Sequence, residues 1–346
     1  MQNKGFFPAE WHHQSAVQLS WPHAGTDWAS SLAEVIPCYV EIAQVISRRQ
    51  KLLIICHEER EVRAQLKGCK PENIMLHTLP SNDTWARDHG SIIIFEDGKP
   101  VLLDFRFNGW GLKFAAHHDN LLTRRMYRDG LFAKSVKYRN MQHMVLEGGA
   151  LESDGEDTLL TTADCLLAPN RNDHLSKTEI EAELKKAFHL QRVLWLHNGY
   201  LEGDDTDSHI DTLARFCDPK TIAYVRCEDA ADVHYEALHK MEAELQLFKT
   251  LDGRPYRLIP LPMADMAVDE DGHRLPATYA NFLIINGAVL LPFYGNAGKD
   301  EQAKEALQTA FPQHEIIGIN CEPLIRQHGS LHCITMQYPE GVINVQ

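Results

Sequence analysis

The feature that most constrains the fold of this chain is a unit that recurs along it, made of an amphipathic helix, a short apolar strand, a polar loop and a hairpin. Asp97-Gly98 and Asn286-Gly287 stand between alternating apolar residues, a strong hairpin signal. Ser176 and Glu179 form a capping box at one helix start. The pattern predicts helices over 32–49, 59–67, 176–190, 229–247 and 300–311, strands over 52–56, 73–79, 193–196, 257–261 and 315–319 and around 214 and 222, and hairpins over 92–105 and 279–293.

This repetition predicts an α/β fold in a single domain over 1–346. The loop residues Gly90, Gly149 and His209 fall about 60 residues apart, which indicates roughly five units. No Pro-, Gly- or Ser-rich linker divides the chain. We expect a strand over 17–21 to pair with one over 334–337, which would join the two ends of the chain and arrange the units as a ring. Each unit would then deliver one loop to a central axis, so that residues distant in sequence meet there.

The charge and apolar pattern restrict the class of partner. The 34 basic and 48 acidic residues give a net charge of −14, which argues against nucleic-acid binding and favours small cations. The longest apolar runs, such as 282–293, are too short to span a membrane, and the first residues lack the apolar core of a signal peptide. A cytoplasmic location is therefore expected.

The cysteine and histidine patterns give no sign of a metal or disulfide framework. None of the eight cysteines is in a C-x-x-C pair, and most are expected to be small buried apolar residues. The 19 histidines include the adjacent pairs His12-His13 and His117-His118, but no H-E-x-x-H or EF-hand motif is present. We therefore expect no metal and no cofactor.

One thiol stands out by its setting. Cys333 lies in GSLHCIT (329–335), a glycine-led turn that enters an apolar stretch. Three segments far upstream carry carboxylates and an imidazole, namely WARDHG (85–90), LEGG (146–149) and DSHID (207–211). Together these groups supply what attack by a thiolate on a cation requires. Taken singly, each has a plainer interpretation: Cys333 as a buried structural thiol, Asp88 as a turn residue and Glu147 as a solvated loop charge.

With PAEW (8–11) and SWPH (20–23), these segments resemble, in order and spacing, the agmatine deiminase and bacterial-type peptidylarginine deiminase family of guanidine-modifying enzymes. The resemblance covers nearly the whole chain. It implies a five-bladed, pseudo-symmetric α/β propeller of repeated ββαβ-type modules around a central active site. Two departures, QHGSL over 327–331 and Ser91 after the WARDHG segment, leave every catalytic group in place but put the choice of substrate in doubt.

The resemblance assigns a role to each catalytic candidate, and the chemistry of guanidinium explains the set. A guanidinium stays charged and presents a planar fork of N–H donors, which the carboxylates of Asp88 and Asp211 would bind at opposite edges. Cys333 would attack the exposed face as a thiolate, activated by the bound cation. His209 would donate a proton to the leaving ammonia and accept one from water, with Glu147 orienting the imidazole.

Further residues are candidates for binding the rest of the substrate. Trp85 is expected to form a wall against its aliphatic part, although a core aromatic is the plainer interpretation, and Trp110 lies in a loop expected to cover the site. Asp205 and Asp207 belong to an acidic run over 202–207 that would bind a positively charged far end, although such runs are usually solvated. This favours agmatine over free arginine.

The sequence thus predicts a hydrolase that converts agmatine to N-carbamoylputrescine and ammonia through a covalent Cys333 thiouronium, a reaction of polyamine biosynthesis. A deiminase of C-terminal peptidyl arginine is the close alternative. An amidinotransferase and a catalytically silent propeller scaffold are more distant ones. The expected partner is a small cationic guanidine compound, with no nucleic acid and no membrane, and the resemblance implies a homo-oligomer.

Overall fold

The computed structural model describes residues 5–344, and each of the five helices predicted from the sequence is present there, whereas helix Leu122–Arg128 was not predicted. The longer ones are Leu32–Ser47, Glu59–Gln65, Leu122–Arg128, Lys177–Phe188, Tyr235–Leu247 and Ala297–Ala310. Single turns are Pro71–Asn73, Ala86–His89, Gly109–Leu112, Asp119–Leu121, Gly148–Ala150, Ala163–Leu166, Pro169–Asn172, Ile210–Thr212 and Glu322–Ile325. Within the described range, none of these helices has the length and apolar character needed to cross a bilayer.

The helix ends follow local side-chain chemistry. The predicted capping box is confirmed, because the Ser176 hydroxyl accepts the N–H of Glu179 while the Glu179 carboxylate accepts the N–H of Ser176. The helix predicted to begin at 229 begins only at Tyr235. Asp232 instead accepts the backbone N–H of His234, a local turn that competes with helix formation.

Five of the sheets share one pairing order. In each, the middle strand pairs antiparallel with the strand listed before it and parallel with the strand after it. The five sets are Ile92–Glu96, Lys99–Arg106 and Lys137–Val145; Glu152–Ser153, Thr158–Thr162 and Arg192–Leu196; Ala214–Asp218, Thr221–Arg226 and Arg257–Pro262; Leu283–Ile285, Ala288–Phe293 and Glu315–Asn320; and Thr335–Pro339, Gln14–Ser20 and Lys51–Cys56. Gly5–Phe6 and Ile74–Thr78 extend the first and the fifth set, and Ala267–Val268 pairs with Arg274–Leu275 in a small separate sheet.

The two ends of the chain meet in the fifth of these sheets, as predicted. Thr335–Pro339 pairs antiparallel with Gln14–Ser20, with Gln337 opposite Val17. Between residues 5 and 344 the strands form separate sheets of two to four strands, and none of these sheets closes on itself. The architecture is therefore a mixed α/β fold of several small sheets.

Several strands are buried on both faces, as expected for short, uniformly apolar strands packed between other elements. The four residues from Leu52 to Ile55 are each at most 1% exposed. Helix Leu32–Ser47 contacts this strand with its buried side chains, which include Val35, Tyr39 and Ile42.

The repeat places polar residues at equivalent points, just before the first strand of each of the five sets. The five residues concerned are Asp88, Glu147, Asp211, Asn281 and Cys333, each five residues or fewer before its strand. The turns Ala86–His89 and Ile210–Thr212 both contact Gly148–Ala150. The segments before successive sheets therefore meet, which brings residues far apart in sequence into one site.

Candidate active site

Cys333 lies at the wall of a 180 Å³ cavity and is only 5% exposed. Its Sγ is 3.4 Å from Asn281 Oδ1 and 3.9 Å from Asp211 Oδ2. Its backbone carbonyl accepts the N–H of Arg87, which ties the thiol to the turn that carries Asp88. The cavity is lined by Asp27, Asp83, Trp85, Asp88, Trp110, Phe114, Asp204, Asp205, Thr206, Thr212, Gln327, His328, Gly329 and Cys333.

The thiol of Cys333 is held in its neutral form. Burial raises its pKa well above the usual value, and the carboxylates of Asp211 and Asp88 raise it further. A cation placed between these carboxylates would offset their charge and favour the thiolate. The environment therefore links the reactivity of the thiol to the arrival of a cation.

Asp88 is oriented by two hydrogen bonds. Trp110 Nε1 donates to Oδ2 and the backbone N–H of Gly149 donates to Oδ1, each over 2.9 Å. A Cβ on Gly149 would lie 2.8 Å from Asp88 Oδ1 and 2.5 Å from His209 Nδ1, so only glycine fits here. Burial raises the pKa of Asp88 to about 6, with Asp211 acting in the same direction and His209 opposing it.

Asp211 has one carboxylate oxygen bound and one free. Its Oδ2 accepts a hydrogen bond from His332 Nδ1 over 2.7 Å. Its Oδ1 is fully buried and finds no hydrogen-bond partner among residues 5–344. Burial alone would raise the pKa of Asp211, but the hydrogen bond and charge of His332 outweigh it and lower the pKa. A buried anionic oxygen without a donor indicates a ligand that brings one.

His209 lies between two carboxylates and is 1% exposed. Its Nδ1 is 3.6 Å from Asp88 Oδ1, and its Nε2 is 3.4 Å from Glu147 Oε2. Burial would lower its pKa, but Asp88, Cys165 and Glu147 raise it well above the usual value. The imidazole is therefore held as imidazolium, which is the form that donates a proton.

Glu147 is completely buried and bound by Arg171, whose Nε lies 2.8 and 3.1 Å from the two carboxylate oxygens. Burial alone would raise the pKa of Glu147, but His209 and Arg171 lower it. Cys165 Sγ is 3.8 Å from Glu147 Oε2. One ligand atom each from Glu147, Cys165 and His209 lie within 4.8 Å of one another, a geometry that a metal ion could use. The Arg171 guanidinium already neutralises this carboxylate, which disfavours a second cation there.

Three of the four residues predicted to bind the rest of the substrate line the cavity. These are Trp85, Trp110 and Asp205. Asp207 is not part of the cavity wall, because its Oδ2 accepts a 2.6 Å hydrogen bond from Arg171 Nη1 and its Oδ1 binds Lys113 over 2.8 Å. Gly329 is needed beside Trp85, since a Cβ there would lie 2.2 Å from the indole ring.

Several residues of the site were not identified from the sequence. Asn281 Oδ1 accepts the N–H groups of His332 and Cys333 over 2.8 and 3.3 Å. His332 bridges Asp211 to Glu10, whose Oε2 is 2.6 Å from the other imidazole nitrogen. Glu10 and His332 lie in the PAEW and GSLHCIT segments, which the sequence had already singled out, so their position in these segments was a usable signal. Asn281 had no signal except its place in the first residues of the hairpin predicted over 279–293.

The carboxylates Asp27 and Asp83 of the cavity wall were also not identified, whereas Asp204, which lines it too, lies in the acidic run over 202–207. Burial, with Asp27 acting in the same direction, raises the pKa of Asp83 to about 7. Burial and the neighbouring Asp204 raise that of Asp205 to about 6. A cation bound beside either carboxylate would stabilise its charged form.

Comparison with known proteins agrees with this geometry. A family model, the Porphyromonas-type peptidyl-arginine deiminase, matches residues 6–339. An agmatine deiminase from Medicago truncatula is 32% identical over 365 residues, covering 96% of this chain and 96% of the relative.

Solved structures match over nearly the whole chain. A candidate arginine deiminase from Porphyromonas gingivalis is 56% identical, with a TM-score of 0.94 and coverage of 99% of this chain and 100% of that one. An agmatine deiminase from C. jejuni, a cysteine-to-serine variant with substrate bound, is 39% identical, with a TM-score of 0.91 and coverage of 99% and 98%. This chain therefore belongs to the Porphyromonas-type peptidyl-arginine deiminase family and is similar throughout its length to agmatine deiminases.

Proposed function

We propose that this chain hydrolyses agmatine to N-carbamoylputrescine and ammonia through a covalent intermediate on Cys333. The observation that carries the proposal is the free, buried Oδ1 of Asp211 in a carboxylate whose Oδ2 is 3.9 Å from Cys333 Sγ. A guanidinium would supply the missing donors and bring its central carbon to the sulfur. The related C. jejuni agmatine deiminase was captured with substrate when a cysteine was replaced by serine, which supports a cysteine as the reacting group.

Recognition of the guanidinium is assigned to two carboxylates. Both carboxylates act on the same thiol, because the charges of Asp211 and Asp88 each raise the pKa of Cys333. Each is itself stabilised as an anion by a nearby imidazole, since His209 lowers the pKa of Asp88 and His332 lowers that of Asp211. Charge-assisted hydrogen bonds to a planar cation would fix its edges and leave one face toward Cys333. Trp85 and Trp110 line the same cavity and would contact the aliphatic chain.

The chemical steps follow from the groups in place. The Cys333 thiolate forms a C–S bond to the guanidinium carbon, and one C–N bond breaks as ammonia leaves with a proton from His209. The neutral imidazole then accepts a proton from water, whose oxygen attacks the thiouronium carbon. The C–S bond then breaks as the remaining hydroxyl proton of this adduct passes to solvent, which releases the neutral ureido product and restores the thiolate. Glu147 favours the charged imidazole and orients it.

The far end of the substrate is proposed to be a primary amine. Besides Asp88, four carboxylates line the cavity, and none of the described lining residues is Lys or Arg. The four are Asp27, Asp83, Asp204 and Asp205. Such a wall attracts an ammonium group and repels the carboxylate that free arginine carries. A deiminase of C-terminal peptidyl arginine remains the second candidate, because the matching family model is named for peptidyl-arginine deiminase activity.

The finer architectural predictions belong to this proposal. Five sheets with one pairing order, each preceded by a residue of the site, support a five-bladed α/β propeller in a single domain over 1–346. A cytoplasmic location, a homo-oligomeric state and the absence of any cofactor stay predictions from the sequence. An amidinotransferase would differ only in using an amine instead of water to resolve the adduct, and a silent scaffold would show no turnover.

A side-by-side turnover assay tests the proposal. Purified protein is incubated with agmatine, free arginine and an arginine-terminated peptide, with and without added amines, and ureido product and ammonia are measured. We expect turnover of agmatine, its loss in Cys333→Ala and its retention in Cys69→Ala, a half-buried thiol outside the site. Preferred turnover of the peptide would support the second candidate, transfer to the amine would indicate an amidinotransferase, and an inert folded protein would contradict both deiminase assignments.

A further inference from the structure

Arg171 connects Glu147 to the loop that ends at His209. It lies in the helical turn Pro169–Asn172, and its side chain is fully buried. Its Nε binds both oxygens of Glu147, while its Nη1 donates to Asp207 Oδ2 over 2.6 Å and its Nη2 donates to Thr206 O over 2.9 Å. The rigid, planar guanidinium of Arg171 thus binds the Glu147 carboxylate at one edge and the Thr206–Asp207 segment at the other.

The loop that Arg171 binds has a strained backbone. Asp207 and Ser208, which directly precede His209, have φ angles of 66° and 65°. Residues other than glycine rarely adopt this left-handed conformation unless their surroundings impose it, and such strain is concentrated at functional sites. Asp204 Oδ2 also accepts the N–H of Ser208 over 2.7 Å, so Arg171 and Asp204 together impose the conformation.

The turn around Arg171 also contacts the segments that carry the other site residues. Asn172 exchanges two hydrogen bonds with the backbone of Val145, of 3.0 and 2.8 Å, at the end of the strand before Glu147. The carbonyl of Asn170 accepts a 2.8 Å hydrogen bond from Asn108 Nδ2, in the loop before Trp110. Three consecutive residues, Asn170, Arg171 and Asn172, therefore contact the three loops that present Glu147, His209 and Trp110.

Two functions of Asp207 give opposite expectations. If Asp207 binds the far end of the substrate, its loss raises KM. If Asp207 instead anchors the loop before His209, its loss lowers kcat. The geometry favours this anchoring function, because the two carboxylate oxygens bind Arg171 and Lys113 of this chain and Asp207 does not line the cavity.

We propose that Arg171 is a positioning residue for deimination, which acts through Glu147 and through the Thr206–Asp207 segment to place the His209 imidazole. The inference rests on the proposed function. Arg171 does not line the cavity, so we expect its removal to affect the proton-transfer steps and to leave the guanidinium-binding carboxylates Asp88 and Asp211 in place.

The test compares Arg171→Met and Arg171→Lys with a matched control. Arg192 is also anchored through Nε, Nη1 and Nη2, to Thr158, Lys249 and Tyr256, but lies outside the site. We expect Arg171→Met to lower kcat for agmatine about 100-fold with KM changed less than threefold, Arg171→Lys to recover part of kcat, and Arg192→Met to leave kcat unchanged. A kcat of Arg171→Met within threefold of wild type, or a loss confined to KM, would overturn the inference.

Asp207→Asn provides a milder variant, since the Asp207 side chain is 34% exposed and its loss should not prevent folding. We expect it to lower kcat about tenfold at constant KM; a rise in KM alone would assign Asp207 to substrate binding and overturn its role as an anchor.

Hydrogen exchange of the amides over 204–209 is measured in parallel, because it does not depend on turnover. It should become faster in Arg171→Met and not in Arg192→Met, and unchanged exchange would overturn the inference. If the wild type turns over no guanidine compound, the proposed function fails, and the exchange result alone decides whether Arg171 orders this loop.

Discussion

Replacing Asp211 with Asn should raise the reactivity of the Cys333 thiol in the free protein and lower the activity on agmatine. In the free protein the Asp211 carboxylate lies 3.9 Å from Cys333 Sγ and raises the pKa of the thiol. In the complex the same carboxylate would bind the guanidinium. Asn has the same shape, and its Oδ1 can still accept the hydrogen bond from His332 Nδ1. Its NH₂ group would then face the N–H donors of the substrate.

The two magnitudes follow from this geometry. Removing a unit charge about 4 Å from the thiolate, at an effective dielectric constant of about 20, favours the thiolate by about 4 kcal/mol as an upper bound and so lowers the pKa of Cys333. Exchanging a charge-assisted acceptor for a donor weakens guanidinium binding by about 3 kcal/mol, which lowers kcat/KM about 100-fold. Free Asp211→Asn should therefore be more reactive toward an alkylating agent while it is less active on agmatine.

The assay measures iodoacetamide alkylation of Cys333 at pH 7, followed by peptide mass, beside kcat/KM for agmatine. Asp104→Asn serves as control, because Asp104 is also buried and hydrogen-bonded but belongs to a separate cluster with Arg124 and Tyr138. We expect Cys333 alkylation at least tenfold faster in Asp211→Asn and unchanged in Asp104→Asn. Slower or unchanged alkylation would refute the electrostatic account of the thiol.

Two further results are expected. Gly149→Ala should lower kcat/KM about 100-fold while the protein stays folded by circular dichroism, because the added Cβ would displace His209 and Asp88 from each other, and near-normal activity would contradict that packing. The kcat/KM for agmatine should fall as the pH drops through about 6, since protonation removes the charge with which Asp88 binds the guanidinium; in a pH series on the wild type, a flat profile between pH 7 and 5 would show that this carboxylate does not titrate there.

The repeated pattern made much of the fold predictable from the sequence. Turn dipeptides and the capping box act locally, so the hairpin at Asp97-Gly98 and the helix after Ser176 could be placed from short segments. A pairing of 17–21 with 334–337 was predicted because repeated units arranged as a ring need their first and last strands to join, and Gln14–Ser20 pairs with Thr335–Pro339. The start of helix Tyr235–Leu247 was placed too early, because side-chain turns compete with helix formation there.

The site was less predictable wherever function depends on contacts between units. Cys333, His209 and Asp211 lie in recognisable segments, but Asn281 and Arg171 are ordinary residues until the fold brings them to Cys333 and Glu147. Contacts between units follow no fixed separation along the sequence, so no motif predicts them. The acidic run over 202–207 was assigned to the substrate as a group, whereas backbone conformation separates its members, with Asp205 at the cavity and its neighbour Asp207 bound to Arg171.

The most direct test of the central claim is the mass of the Cys333 peptide after rapid acid quench of the protein during turnover of agmatine. We predict a mass increase equal to agmatine minus ammonia on that peptide alone, and a larger trapped fraction in His209→Ala, where water is not activated. Release of ammonia with no such adduct on Cys333 in either protein, or with the adduct on another cysteine, would contradict the account.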